Sequence, residues 1–92
     1  MTETTAAKIE RLLRGRFDPT HFELVDDSEK HAGHPGASSG GGHYSVVIVS
    51  SAFEGLSRLE RHRLVYSVVE SMIGTEIHAL VIRTVPVTEW QG

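Results

Sequence analysis

The chain has 92 residues, of which 39% are hydrophobic and 23% charged, with no cysteine. This is the size and composition of one small soluble domain spanning residues 1–92. The missing thiol excludes a disulfide framework, a Cys-based zinc finger, a cysteine nucleophile and an all-protein cysteinyl iron–sulfur site. Twelve acids against nine bases set the net charge at −3, which argues against a dedicated nucleic-acid binder.

Residues 4–17 place Ile9, Leu12, Leu13 and Phe17 at helical spacing, with Lys8, Glu10, Arg11 and Arg14 on the other side, the pattern of an amphipathic helix. Asp18-Pro19 should end it, because proline disfavours the α region for the residue before it. A strand is expected over residues 21–27, where Phe22 and Leu24 alternate with His21 and Glu23. Residues 28–42 then hold five of the nine glycines (Gly33, Gly36, Gly40, Gly41 and Gly42) together with Pro35, Ser38 and Ser39, a composition that predicts a mobile loop.

The β-branched and aromatic run from Tyr44 to Ser50 predicts a second strand, antiparallel to the first. Ser57 followed by Glu60 has the spacing of a capping box. The helix it opens carries Leu59, Val65, Tyr66, Val68, Val69, Met72 and Ile73 and is expected to reach residue 73, with Gly74 in the left-handed position past its end. Ile77 to Thr84 predicts a third strand, and Pro86 suits the first turn of a short final helix. The expected order is α-β-β-α-β-α: an α+β domain whose small mixed sheet of three strands packs its helices on one face. The longest apolar runs, Val46 to Val49 and Ala79 to Ile82, fall far short of the roughly 20 residues of a membrane span. The first residues carry no mark of a secretory signal or transit peptide. A cytoplasmic location is therefore expected, with no membrane partner.

Six histidines are the unusual entry in the composition. His31, His34 and His43 bracket the glycine-rich segment, and imidazole ligates zinc, copper, iron and nickel. Their spacing, His-x2-His-x8-His, matches no established metal motif, so a solvated loop is the simpler reading. His78 opens the third strand beside Ile77 and Ala79, where a histidine is more often structural than a ligand. Arg58, Arg61, His62 and Arg63 occupy the first two turns of the second helix. Phosphate or an acidic partner would suit them, although a solvated face is the preferred reading. His62 is expected near an apolar stripe of Leu59, Tyr66 and Val69. Gly33-His-Pro-Gly36 spells the GxxG of a KH loop, but between two strands rather than two helices. No Ser/His/Asp arrangement emerges, and Asp26-Asp27 and Glu29, which could supply paired carboxylates, adjoin a strand end and lack a recognisable partner motif, so enzymatic activity is not expected.

Taken together, several segments resemble the BolA family: Leu24-Val-Asp-Asp-Ser28, Lys30-His31, His43 through Ser50, Phe53-Glu-Gly55, Arg61-His-Arg-Leu-Val-Tyr66, Ile77-His-Ala-Leu80 and Thr88-Glu-Trp90. They cover nearly the whole chain in order. The long loop resembles the group that carries histidine there rather than cysteine, and it is longer than in some members. The resemblance implies a class II KH-like fold. It also implies partnership with a monothiol CGFS glutaredoxin through a shared [2Fe-2S] cluster, for which glutaredoxin and glutathione supply thiolates and this chain supplies imidazoles. His78 and His31 are the ligands it points to, with His43 as runner-up; the isolated chain is expected to hold no cofactor, and the apo form to be a monomer or weak homodimer. Imidazole ligands in place of thiolates raise a cluster's potential, as in Rieske centres. The alternative is a transcriptional regulator that binds DNA through the surface around Arg58, Arg61 and Arg63.

Overall fold

Thr4 opens the first helix, its hydroxyl accepting from the Ala7 amide at 3.1 Å and satisfying one of the donors a helix start leaves free. In the computed structural model, which describes residues 3–27 and 42–91, this helix, α1, spans Thr5–Phe17 and buries Ile9, Leu13 and Phe17. It ends where Asp18 enters the left-handed region at φ 45° and donates its amide to the Arg14 carbonyl. Aspartate tolerates that conformation better than most residues, and Pro19 then prevents further helix.

Strands β1 (His21–Asp26) and β2 (Gly42–Ser50) pair antiparallel. The third strand, β3 (Ile77–Pro86), lies parallel to β2 on its other side, so the sheet order is β1-β2-β3. Between β2 and β3 runs α2 (Arg58–Val69), as a parallel pair requires a crossover. Its start is a complete capping box: Ser57 Oγ accepts from the Glu60 amide at 3.1 Å, and Glu60 Oε1 accepts from the Ser57 amide at 2.8 Å.

Strand alternation sorts the sheet into two faces. Tyr44, Val46 and Ile48 of β2 stand beside Leu80, Ile82 and Thr84 of β3, and all six are buried. They form one core with Ile9, Leu13 and Phe17 of α1 and Val65 and Val69 of α2. Both helices therefore cover this face. Ser50 is wholly buried and is satisfied there, donating to the Phe17 carbonyl at 2.6 Å and accepting from the Ala52 amide at 3.0 Å.

Three expectations need correction. Leu59, Tyr66 and Ile73 do not form the buried stripe of α2; Leu59 is 60% exposed and Tyr66 40%, because the face turned to the core is the i, i+4 pair Val65 and Val69, with Leu64 and Val68 beside it. The α-helix stops at Val69 and tightens into a 3₁₀ turn over Glu70–Met72, although Gly74 does take positive φ, at 86°. The final helix is only a 3₁₀ turn, Val87–Glu89, since Pro86 is still part of β3. That turn is anchored by Glu54, whose carboxylate accepts from the Thr88 amide and hydroxyl. Of the expected loop, Gly42 begins β2, while residues 28–41 lie outside the described residues. No described helix is long and apolar enough to cross a membrane.

Candidate functional site

Ile77 and Leu80 are both buried, yet three residues apart they would face opposite sides of a regular strand. The conflict is resolved by an irregularity at the start of β3: Gly42 pairs with Ile77, but His43 pairs with Ala79. His78 is the residue passed over, and bulges of this kind commonly re-aim a side chain. His78 is exposed and His43 half-buried, and their ring centroids lie 5.0 Å apart with the planes tilted by 42°. Two imidazoles from parallel neighbouring strands thus meet at one end of the sheet.

This end is also where β1 stops and β2 begins. The Asp27 amide donates to the His43 carbonyl at 2.7 Å, and Asp27 Oδ2 accepts from Ser45 Oγ at 2.8 Å. The chain between Asp27 and Gly42 therefore leaves and re-enters the described structure beside the histidine pair. His31 falls within that stretch, four positions after Asp27, and lies outside the described residues, as do His34 and the Gly33–Gly36 motif.

Among the described residues no group of three or more His, Cys, Asp or Glu side chains is placed to hold a metal ion. Two neighbouring imidazoles would make only half of a four-donor set, so a metal bound here would need donors from outside the pair. The two other described histidines are differently placed. His21 stacks on Trp90, with centroids 4.8 Å apart, and its Nε2 lies 2.6 Å from the Glu23 carboxylate. His62 is half-buried, and burial, followed by the charges of Arg58 and Arg61, lowers its pKa from the ordinary histidine value.

The arginines predicted to form one surface are divided. Arg61 is engaged internally, with Nε donating to Thr84 Oγ1 and an outer nitrogen to the Leu56 carbonyl, both at 3.1 Å. Arg58, Arg61 and His62 line a groove of about 500 Å³ with residues 81–84 of β3. Arg63 lines a separate depression with Tyr66, Ser67 and Glu70.

The juxtaposition of His43 and His78 was not read from the sequence. Its signal is present in the parallel relation of β2 and β3, because each histidine is the second residue of its strand. The bulge that completes the approach has no local sequence mark.

The family model described as BolA-like protein matches residues 13–89. The chain is 40% identical over 85 residues to the DNA-binding transcriptional regulator BolA of Escherichia coli, covering 92% of this chain and 78% of that one. Against human BolA-like protein 1 the identity is 39% over 85 residues, covering 92% of this chain but only 60% of the human protein. The solved structure of BolA1 from Arabidopsis thaliana superposes with a TM-score of 0.85 at 33% identity, covering 99% of this chain and 100% of that one. The chain belongs to the BolA-like family. Its α+β architecture, two helices on a three-stranded mixed sheet, is that of BolA structures.

Proposed function

We propose that this chain is a non-enzymatic partner of a monothiol CGFS glutaredoxin, sharing with it a bridging [2Fe-2S] cluster in cluster trafficking or in iron and redox sensing. The observation that carries the reading is the 5.0 Å approach of His43 and His78 at the end of the sheet. An unfinished nitrogen donor set in a chain without cysteine suits a site whose thiolates come from a partner. In this reading His78 is one ligand and His31 the other, with His43 the alternative because its ring already neighbours His78.

The cluster is cargo rather than a resident cofactor, and its redox and transfer chemistry is its own. What this chain contributes is donor type and access. Imidazole ligands leave the cluster less negative than thiolates do and raise its potential. An exposed His78 on a strand terminus lets a partner approach without opening the core.

The test is to mix the protein with glutathione-loaded monothiol glutaredoxin and record visible absorption and circular dichroism. His78→Ala should abolish or alter the spectrum of the mixed complex. His31→Ala and His43→Ala then identify the second ligand, as the one whose loss also changes the spectrum. A spectrum unaffected by His78→Ala contradicts the reading.

A second reading, transcriptional regulation through DNA, is favoured by one observation: the Escherichia coli relative is named a DNA-binding transcriptional regulator. Against it stand the net charge of −3, the internal engagement of Arg61 and the separation of Arg63 from Arg58. A gel shift across a salt series tests it. Affinity absent at low salt, or indifferent to added salt, removes this reading.

A further inference from the structure

The groove beside α2 differs from the rest of the surface in its charges and in its floor. Of the other described cations, Lys8 pairs with Glu76, Arg11 with Glu3 and Arg14 with Glu10, Arg16 lies over the Phe17 ring, and Arg63 shares its depression with the Glu70 carboxylate. Arg58 and Arg83 are exposed, and among the described residues neither has an ion-pair partner. Arg58 lines the groove from α2, Arg83 from β3. His62 and the engaged Arg61 lie with them, and among the described residues no carboxylate lines the groove.

The floor is strand edge. Four consecutive residues of β3, Val81 to Thr84, line the groove, whereas a strand seen face-on would present alternate residues. Since β3 is an edge strand, its backbone on this side has no sheet neighbour among the described residues. Tyr66 Oη donates to the Leu80 carbonyl at 3.0 Å, which shows that Leu80 directs its backbone groups outward. Strand alternation then places the amide and carbonyl of Ile82 on the same edge, inside the groove. A row of backbone donors and acceptors of this kind is a template for an added strand.

We propose that this groove binds an extended acidic peptide segment, which adds to β3 by backbone pairing at Ile82 and sets carboxylates against Arg58 and Arg83. The inference is independent of the histidine site. His78 and Arg83 are five residues apart on β3, roughly 16 Å at about 3.3 Å per residue, so both surfaces are open at once. Two competing occupants fit less well. A second copy pairing edge to edge would crowd both sets of Arg58, Arg61 and Arg83 together. A nucleic-acid backbone needs a continuous track of cations, and here Arg61 is engaged and Arg63 lies in another depression.

The probe is a fluorescently labelled synthetic hexapeptide of alternating glutamate and valine, read by anisotropy and by amide chemical shifts on the full chain. Controls are the same peptide with lysine for glutamate, the same peptide with alternate amides N-methylated, and a short DNA duplex at the same salt. The expected result is saturable binding of the acidic peptide with shifts centred on Ile82 to Thr84, lost with lysine and lost on N-methylation. The double variant Arg58→Gln/Arg83→Gln should weaken it about tenfold, the size of two modest charge contacts removed together. Both side chains are exposed, so the variant keeps the fold, checked by its amide spectrum. Four results overturn the proposal: no peptide binding; binding indifferent to N-methylation; tighter binding of the duplex with shifts at the same residues; or self-association that occupies Ile82 to Thr84.

Discussion

The two faces of the sheet use the same residue types to opposite ends. On the helix-covered face Tyr44, Val46, Ile48, Leu80 and Ile82 are all buried, and the helices close over them. On the other face Val25 and Val81, each opposite Ser45 of β2, are left 52% and 66% exposed, and His43 and His78 sit at one end of β2 and β3. Most of the core lies on the first face, and the second buries Val49 and Val85 only at the end away from the histidines. The second carries side chains whose exposure the fold tolerates because it does not depend on burying them.

The largest test of that contrast is truncation on each face. Ile48→Ala should cost about 2–5 kcal/mol, as wholly buried aliphatic side chains do, whereas Val81→Ala should stay within about 0.5 kcal/mol. Urea midpoints measured side by side check both. Equal losses would mean that the open face is as structural as the covered one.

Next in size is the capping box, which fixes where α2 begins over the covered face. Ser57→Ala leaves the Glu60 amide without its acceptor and should cost about 1 kcal/mol, again from urea unfolding, with the amide shifts of β2 and β3 unchanged.

A smaller effect is pH dependence. Hydrogen bonds from Thr88 hold the Glu54 carboxyl below its ordinary pKa, and those from Ser57 do the same for Glu60. Their contribution is complete above the ordinary carboxylate value of about 4.3 and is lost as pH falls through the lowered folded values. His62 also has a lowered pKa, from burial and then from Arg58 and Arg61. The unfolded chain therefore takes up that proton first, and stability declines as pH drops below about 6.5. Unfolding midpoints should fall in two stages on acidification, and His62→Gln should flatten the upper one. A midpoint that rises on acidification contradicts these assignments.

Much of this architecture is legible in the residues. The spacing of Ile9, Leu13 and Phe17 marks α1, the β-branched run after Tyr44 marks β2, and Ser57 with Glu60 marks the start of α2. What is not legible depends on contacts distant in sequence. Tyr66 fits an apolar helical stripe equally well, and only the position of β3 decides that it lies half outside with its hydroxyl on the Leu80 carbonyl. Pro86 is a good helix opener by itself but is claimed by β3 through its pairing with Ser50. The histidine pair depends on the register shift between Gly42 and His43, a property of two strands and of neither alone.

The most direct measurement is the visible circular dichroism of the mixture with glutathione-loaded monothiol glutaredoxin, comparing the unsubstituted chain, His78→Ala and Val81→Ala. His78→Ala is expected to lose or change the signal while its unfolding free energy stays within about 0.5 kcal/mol of the parent, and Val81→Ala to retain the signal. An unchanged spectrum for His78→Ala would contradict the claim that this end of the sheet supplies a cluster ligand.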